Sequence, residues 1–148
     1  MTLPVLQSAV FTSPGASEVF LLARLLFGGV VAFMGLNHFL NAEQMTGYAE
    51  MKGLPVPGFS VLASGAMLVL GGLSIISGAF VVLGAGAVAL FLLVAAVTMH
   101  DFWRVEDAER QQTEMTQFLK NVTMAGAALA FLALAGAPWQ YALDVGVL

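Results

Sequence analysis

The polar side chains of this sequence that could do chemistry are few, and they recur at the ends of apolar runs. Asn37 and His38 close the first run, His100 and Asp101 stand with Phe102 and Trp103 at the end of another, and Gln117, Lys120 and Asn121 open the last. Arg24 lies inside the first run. Imidazoles can accept, donate or relay a proton near neutral pH, and an ammonium or an amide can donate to a carbonyl oxygen. An ionisable group in a membrane tends to face the interior and to be paired, which makes Asp101 and Lys120 the expected ion pair. What the set lacks is equally informative. The chain has no cysteine, so thiol, persulfide and thiolate-metal chemistry are excluded. Two histidines at similar depth could ligate a haem, but no Cys/His cluster and no carboxylate–histidine helix repeat accompanies them, and no metal centre is expected. No glycine-rich loop follows a strand, so no nucleotide cofactor is implied.

The elements that must position these residues follow from composition. Of 148 residues, 59% are hydrophobic and 9% charged, with a mean hydropathy of +0.91; a soluble domain carries about 25% charge. One membrane crossing needs roughly 20 apolar residues. Four apolar runs meet that need, at about 18–40, 59–77, 79–103 and 114–137. The expectation is an all-α integral membrane four-helix bundle, a single membrane domain over residues 1–148, in contact with lipid and with both termini on one side. Asn41 to Lys52 is expected to form a short interfacial helix, stopped by Gly53-Leu54-Pro55-Val56-Pro57-Gly58. Ser77-Gly78 makes the tight turn of a hairpin. Trp139 and Tyr141 are expected at the interface opposite Trp103. Arg24 is expected to snorkel to the nearer interface, the rival reading being a buried charge facing the bundle interior. Met1 to Ser17 has no positive n-region, so no cleavable signal is expected. The net charge of −4, without a basic run, excludes nucleic acid as a partner. Lys52, Arg104 and Arg110 on two loops at one end place that end in the cytoplasm by the positive-inside rule.

Antiparallel connection puts the ends of the first and third runs beside the starts of the second and fourth. Asn37, His38, His100, Asp101, Lys120 and Asn121 then converge at one membrane face. Arg24, Gly28, Val31, Gly35 and His38 step by four, three, four and three, so they share one helix face.

Arg24-Leu25-Leu26-Phe27-Gly28, Gly35-Leu36-Asn37-His38, Gly53-Leu54-Pro55-Val56-Pro57, His100-Asp101-Phe102-Trp103 and Phe118-Leu119-Lys120-Asn121 follow one another in an order and spacing that resembles the DoxX-like family of small four-helix membrane proteins. The resemblance covers about residues 22–135. It implies a multi-pass protein of the cell membrane, similar to the small subunit of a thiosulfate:quinone oxidoreductase and to members linked with membrane redox and oxidative-stress systems. By that resemblance Arg24, His38, His100, Asp101, Trp103, Lys120 and Asn121 are the positions to examine. The reading that combines both lines is a membrane subunit of a redox or quinone-linked system. It binds a quinone or other lipophilic molecule, with His100 and Lys120 donating to a carbonyl oxygen and a membrane redox partner or a second copy beside it. The alternative is a transporter, or a structural protein that assembles through its small-residue faces.

Overall fold

The computed structural model describes residues 10–146; the start of the N-terminal tail, residues 1–9, and the last two residues lie outside it. Among the described residues there are five α-helices and no strand: α1 (Ala16–Leu40), α2 (Ala42–Met51), α3 (Pro57–Ser77), α4 (Val81–Met99) and α5 (Ala108–Ala133). Three segments are long and apolar enough to cross a membrane: Ala16–Leu40, Pro57–Ser77 and Val81–Arg104.

Helix ends follow local chemistry. Pro57 sits in the first turn of α3, where its missing N–H costs nothing. Gly78 ends α3 in the left-handed conformation, with φ 72°. The Asp107 carboxylate caps α5 by accepting from the Arg110 backbone N–H at 2.9 Å. That cap starts α5 at Ala108 rather than near 114, so the helix carries Glu109, Arg110, Glu114 and Lys120 ahead of its apolar half. It ends at Ala133, short of 137. The third run likewise stops at Met99, and Phe102–Arg104 form a separate 3-10 turn. The short α2 forms where the loop sequence predicts it, and among the described residues five α-helices stand where a four-helix bundle is expected, three segments rather than four meeting the length and apolarity of a crossing.

α1 packs chiefly on α3, α3 on α4, and α4 on α5. The first seam is a backbone contact. A Cβ added at Gly28 would stand 2.6 Å from the Gly72 carbonyl oxygen, and one at Gly35 would stand 2.6 Å from the Val69 nitrogen. Only small residues permit that approach, which is how helices associate where apolar surface alone gives no preference for a partner. α1 and α5 meet instead through rings: Phe27 and Phe20 lie 5.3 and 5.7 Å from Phe131. Val31, Leu68, Val88, Leu92, Ala125 and Ala128 close the centre. Large apolar side chains, among them Leu26, Phe33, Leu70, Leu83 and Leu90, point outward. In water that surface would be a liability; in lipid it is the solvated face.

Arg24 does not snorkel. It is fully buried, and its guanidinium donates to four backbone carbonyls: Ile75 at 3.1 Å, Ile76 at 2.5 Å, Gln140 at 2.9 Å and Tyr141 at 3.1 Å. Trp139 covers it, with the guanidinium carbon 5.2 Å from the ring centroid. Trp139 is therefore a core residue, 5% exposed, rather than a marker of the water boundary. The segment after α5 is further tied to the α3–α4 turn: Leu143 N–H donates to Ser77 O and Phe80 N–H to Val145 O, each at 2.8 Å. The C-terminal end of α5 thus returns to the end of the bundle where α1 starts.

If the α1–α3 seam depends on backbone approach, Gly28→Ala should lower the thermal midpoint in detergent, at a cost of about 1–3 kcal/mol typical of overpacking. Gly29→Ala, whose added Cβ meets nothing within 4 Å, should leave the midpoint unchanged or raise it. Equal effects at the two positions would show that the seam is not close-packed in solution.

Candidate ligand-binding cavity

At the opposite end the bundle is not closed. The last turns of α1 and α4, the first turns of α3, most of α2 and the Lys120–Asn121 turn of α5 enclose a cavity of about 1020 Å³. Five of the eight residues expected from sequence line it: Asn37, His38, His100, Lys120 and Asn121. Its remaining lining is largely apolar and rich in methionine, with Met34, Met45, Met51 and Met99.

Arg24, Asp101 and Trp103 are not part of it. Fourteen residues before His38 on one helix, Arg24 lies about 21 Å away at 1.5 Å per residue. Trp103 is half exposed and packs edge-on against Phe102 and Phe118, at 5.2 and 5.8 Å. Asp101 does not pair with Lys120. Its carboxylate accepts from Lys52 Nζ at 2.5 Å, with Arg104 3.8 Å away. The reason is helical phase. Asn121 faces inward and is 4% exposed, so Lys120, about 100° around the helix from it, points outward and hydrogen-bonds Gln117 one turn earlier. Lys52, carried to this end by α2, fills the position instead.

His38 is fixed from one side. Its Nδ1 lies 3.1 Å from Val61 O and 2.9 Å from Ser64 Oγ. The Ser64 hydroxyl gives its own proton to Val61 O at 2.9 Å. The Val61 carbonyl can only accept, so the contact with it assigns the proton to Nδ1, and the Ser64 hydroxyl, turned to Val61 O, can accept from the same N–H. Phe91 packs edge-on to the ring at 5.9 Å. Among the described residues Nε2 has no protein partner, and no sealed-in side-chain nitrogen or oxygen lacks one. Nε2 therefore opens onto the cavity that His38 lines. The same logic applies to the Asn121 amide, which is buried, lines the cavity and makes no side-chain hydrogen bond among the described residues.

At the rim, His100 Nδ1 donates to Glu114 Oε2 at 2.8 Å. The Tyr48 hydroxyl donates to Met99 O at 3.1 Å and to Glu114 Oε1 at 3.3 Å. Burial, then the neighbouring Glu114 carboxylate, raise the Tyr48 phenol above its ordinary value, which keeps it a donor. Burial alone would lower the Lys52 ammonium. The hydrogen bond to Asp101 and the negative groups nearby outweigh it and leave Lys52 raised. Tyr48, Lys52, Ser64 and Glu114 were not anticipated as site residues. One signal was available: Glu114 precedes Asn121 by two turns and so shares its inward face.

Apolar helices closing over a cavity with a few polar groups left open define a membrane-embedded helical protein with a candidate site at one end. Residues 19–101 match the DoxX family model, and the chain belongs to that family. The matched stretch holds Arg24, Asn37, His38, His100 and Asp101 and stops before Trp103, Lys120 and Asn121. No curated protein and no solved structure matches the chain.

A double-mutant cycle tests the pairing. Asp101→Asn and Lys52→Met should couple by about 1 kcal/mol in thermal stability, whereas Asp101→Asn and Lys120→Met should be additive. Because the folded pKa of Lys52 is raised, its contribution is fully present below the ordinary lysine value of about 10.4 and lost as pH rises through the folded value. The midpoint difference between wild type and Lys52→Met should thus be constant from neutrality to about pH 10 and shrink above it. A cycle in which Lys120 rather than Lys52 couples to Asp101 would restore the pairing expected from sequence.

Proposed function

We propose that this chain is a four-crossing membrane subunit that binds a lipophilic quinone-class molecule in the cavity at the His38–His100 end, as part of a membrane redox system. The observation that carries the reading is the cavity itself, about 1020 Å³. Ligand sites of this kind are concave and mostly apolar, with a small number of placed polar groups. Here the apolar part is methionine-rich, and methionine sulfur adapts well to an aromatic ring. The polar part is His38 and Asn121 at depth, with His100, Asn37 and Lys120 toward the rim. Asn121 supplies a donor for a ring carbonyl, and Lys120, turned outward onto Gln117, stands at the rim. His100, held by Glu114, supplies a proton-handling group beside them. Cysteine is absent, so thiol chemistry would belong to a partner. Membership in the DoxX family agrees with a membrane role.

The fourth crossing is supported by the path of α5, whose middle turn, Lys120–Asn121, lines the cavity while the segment that follows the helix is hydrogen-bonded to the α3–α4 turn. The chain has no native cysteine, so single cysteines report unambiguously. Thr12→Cys and Asp144→Cys should label from one side of sealed vesicles, and Glu50→Cys and Glu109→Cys from the other. Labelling of Thr12→Cys and Asp144→Cys from opposite sides would mean that α5 does not cross.

Purification in mild detergent from quinone-containing membranes should yield the protein with bound quinone in its lipid extract. His100→Ala should fold normally and retain roughly 2–10-fold less, the loss of one neutral hydrogen bond. Ligand-free protein that is not thermally stabilised by an added decyl-tailed benzoquinone or benzoquinol would overturn the reading.

A further inference from the structure

The deep end of the cavity has a hydrogen-bonding polarity, and it is set by His38. Val61 O can only accept and so requires a proton on Nδ1, which the Ser64 hydroxyl can also accept while its own proton goes to Val61 O; the neutral ring then turns the bare lone pair of Nε2 toward the cavity. A carbonyl oxygen offers that lone pair nothing, because both are acceptors. A hydroxyl offers it a proton. Asn121, 96% removed from solvent by its 4% exposure, completes the requirement. Its amide has no partner among the described residues, and its N–H can donate to the same or a second oxygen while its carbonyl accepts another hydroxyl.

We infer that the cavity selects hydroxylated ligands: the occupant is an aromatic lipid bearing a free hydroxyl, a quinol or phenol head on an apolar tail, whose O–H donates to His38 Nε2. The inference rests on the lipophilic-ligand reading above and adds the redox state of the ligand that the site prefers. Phe91 and Met34, which line the cavity near His38, give the ring apolar neighbours. A site built to hydrogen-bond a hydroxyl rejects the analogue that lacks it, because the buried partner is then left unpaired. For a quinone, His38 Nε2 is that orphan. The inference concerns binding alone and assigns no electron transfer to the chain.

The test compares a decyl-tailed benzoquinol with the matching benzoquinone, both titrated anaerobically into detergent-solubilised wild-type protein at neutral pH by calorimetry. The expected result is a benzoquinol dissociation constant at least about tenfold below that of the benzoquinone, worth about 1.4 kcal/mol. His38→Phe should remove that difference by weakening the benzoquinol and sparing the benzoquinone. Asn121→Leu, which leaves His38 intact, should weaken both. Equal affinities in the wild type would overturn the hydroxyl inference and leave the ligand site standing. Tighter binding of the benzoquinone would do the same. Binding of neither molecule would overturn both readings. Because the wild-type ratio needs no variant, a His38→Phe protein that failed to fold would not shelter the inference.

Discussion

One face of α1 organises the molecule. Arg24, Gly28, Val31, Gly35 and His38 are its buried residues, and each meets a different demand of the same seam with α3. Gly28 and Gly35 let the two backbones touch. Arg24 resolves the problem this contact creates at the end of α3, where the last carbonyls have no helical partner. In lipid no water can satisfy them. The guanidinium reaches Ile75 and Ile76 there, and its positive charge meets the negative end of the helix dipole. The two remaining carbonyls come from the segment after α5. A buried cation is expensive unless its donors are matched; here four of the five guanidinium N–H groups go to backbone carbonyls, and the matching fastens the segment after α5 to α1.

The cavity follows from the same seam by contrast. Near Arg24, rings fill the space between α1 and α5: Phe20, Phe131 and Trp139 pack within 4.9–6.2 Å of one another. Toward His38 no such ring pair bridges the two helices among the described residues, and α2 packs chiefly on α3. Because α1 is held to α3 by glycine contacts along its length, it cannot lean toward α5 to close the gap. The lining that results is flexible methionine and short polar side chains rather than interdigitated rings. Openness at one end is thus the counterpart of close packing at the other.

Much of this was legible in the sequence, for reasons that can be named. The seam was readable because Arg24, Gly28, Val31, Gly35 and His38 keep helical period. The convergence of His38, His100 and Asn121 was readable because short antiparallel connections leave no other arrangement. Three features were not readable. Lys52 follows directly on a separate short helix, and no periodicity relates it to Asp101. The early start of α5 depended on the Asp107 cap, whereas hydropathy located only the apolar part of the helix. Trp139 looked like a boundary residue because aromatic side chains favour interfaces; a buried guanidinium that needs a ring over it was the stronger demand.

Burial alone does not tell a structural polar residue from a functional one in this bundle, since Arg24, His38 and Asn121 are all below a tenth exposed. Residual valence does. Every hydrogen bond of Arg24 recorded in the fold goes to a fixed backbone oxygen, so the residue can hold the structure together and has no face turned to a ligand. His38 is oriented just as firmly, but from one side only, and the fold spends two oxygen acceptors on Nδ1 while leaving Nε2 open. Asn121 is left open altogether. A membrane interior makes such unmet groups costly, and a protein that keeps them beside an apolar cavity has them filled by water, by lipid or by a ligand. With Nδ1 assigned as the donor to Val61 O, the occupant that matches the deep end best is one that brings a proton for Nε2.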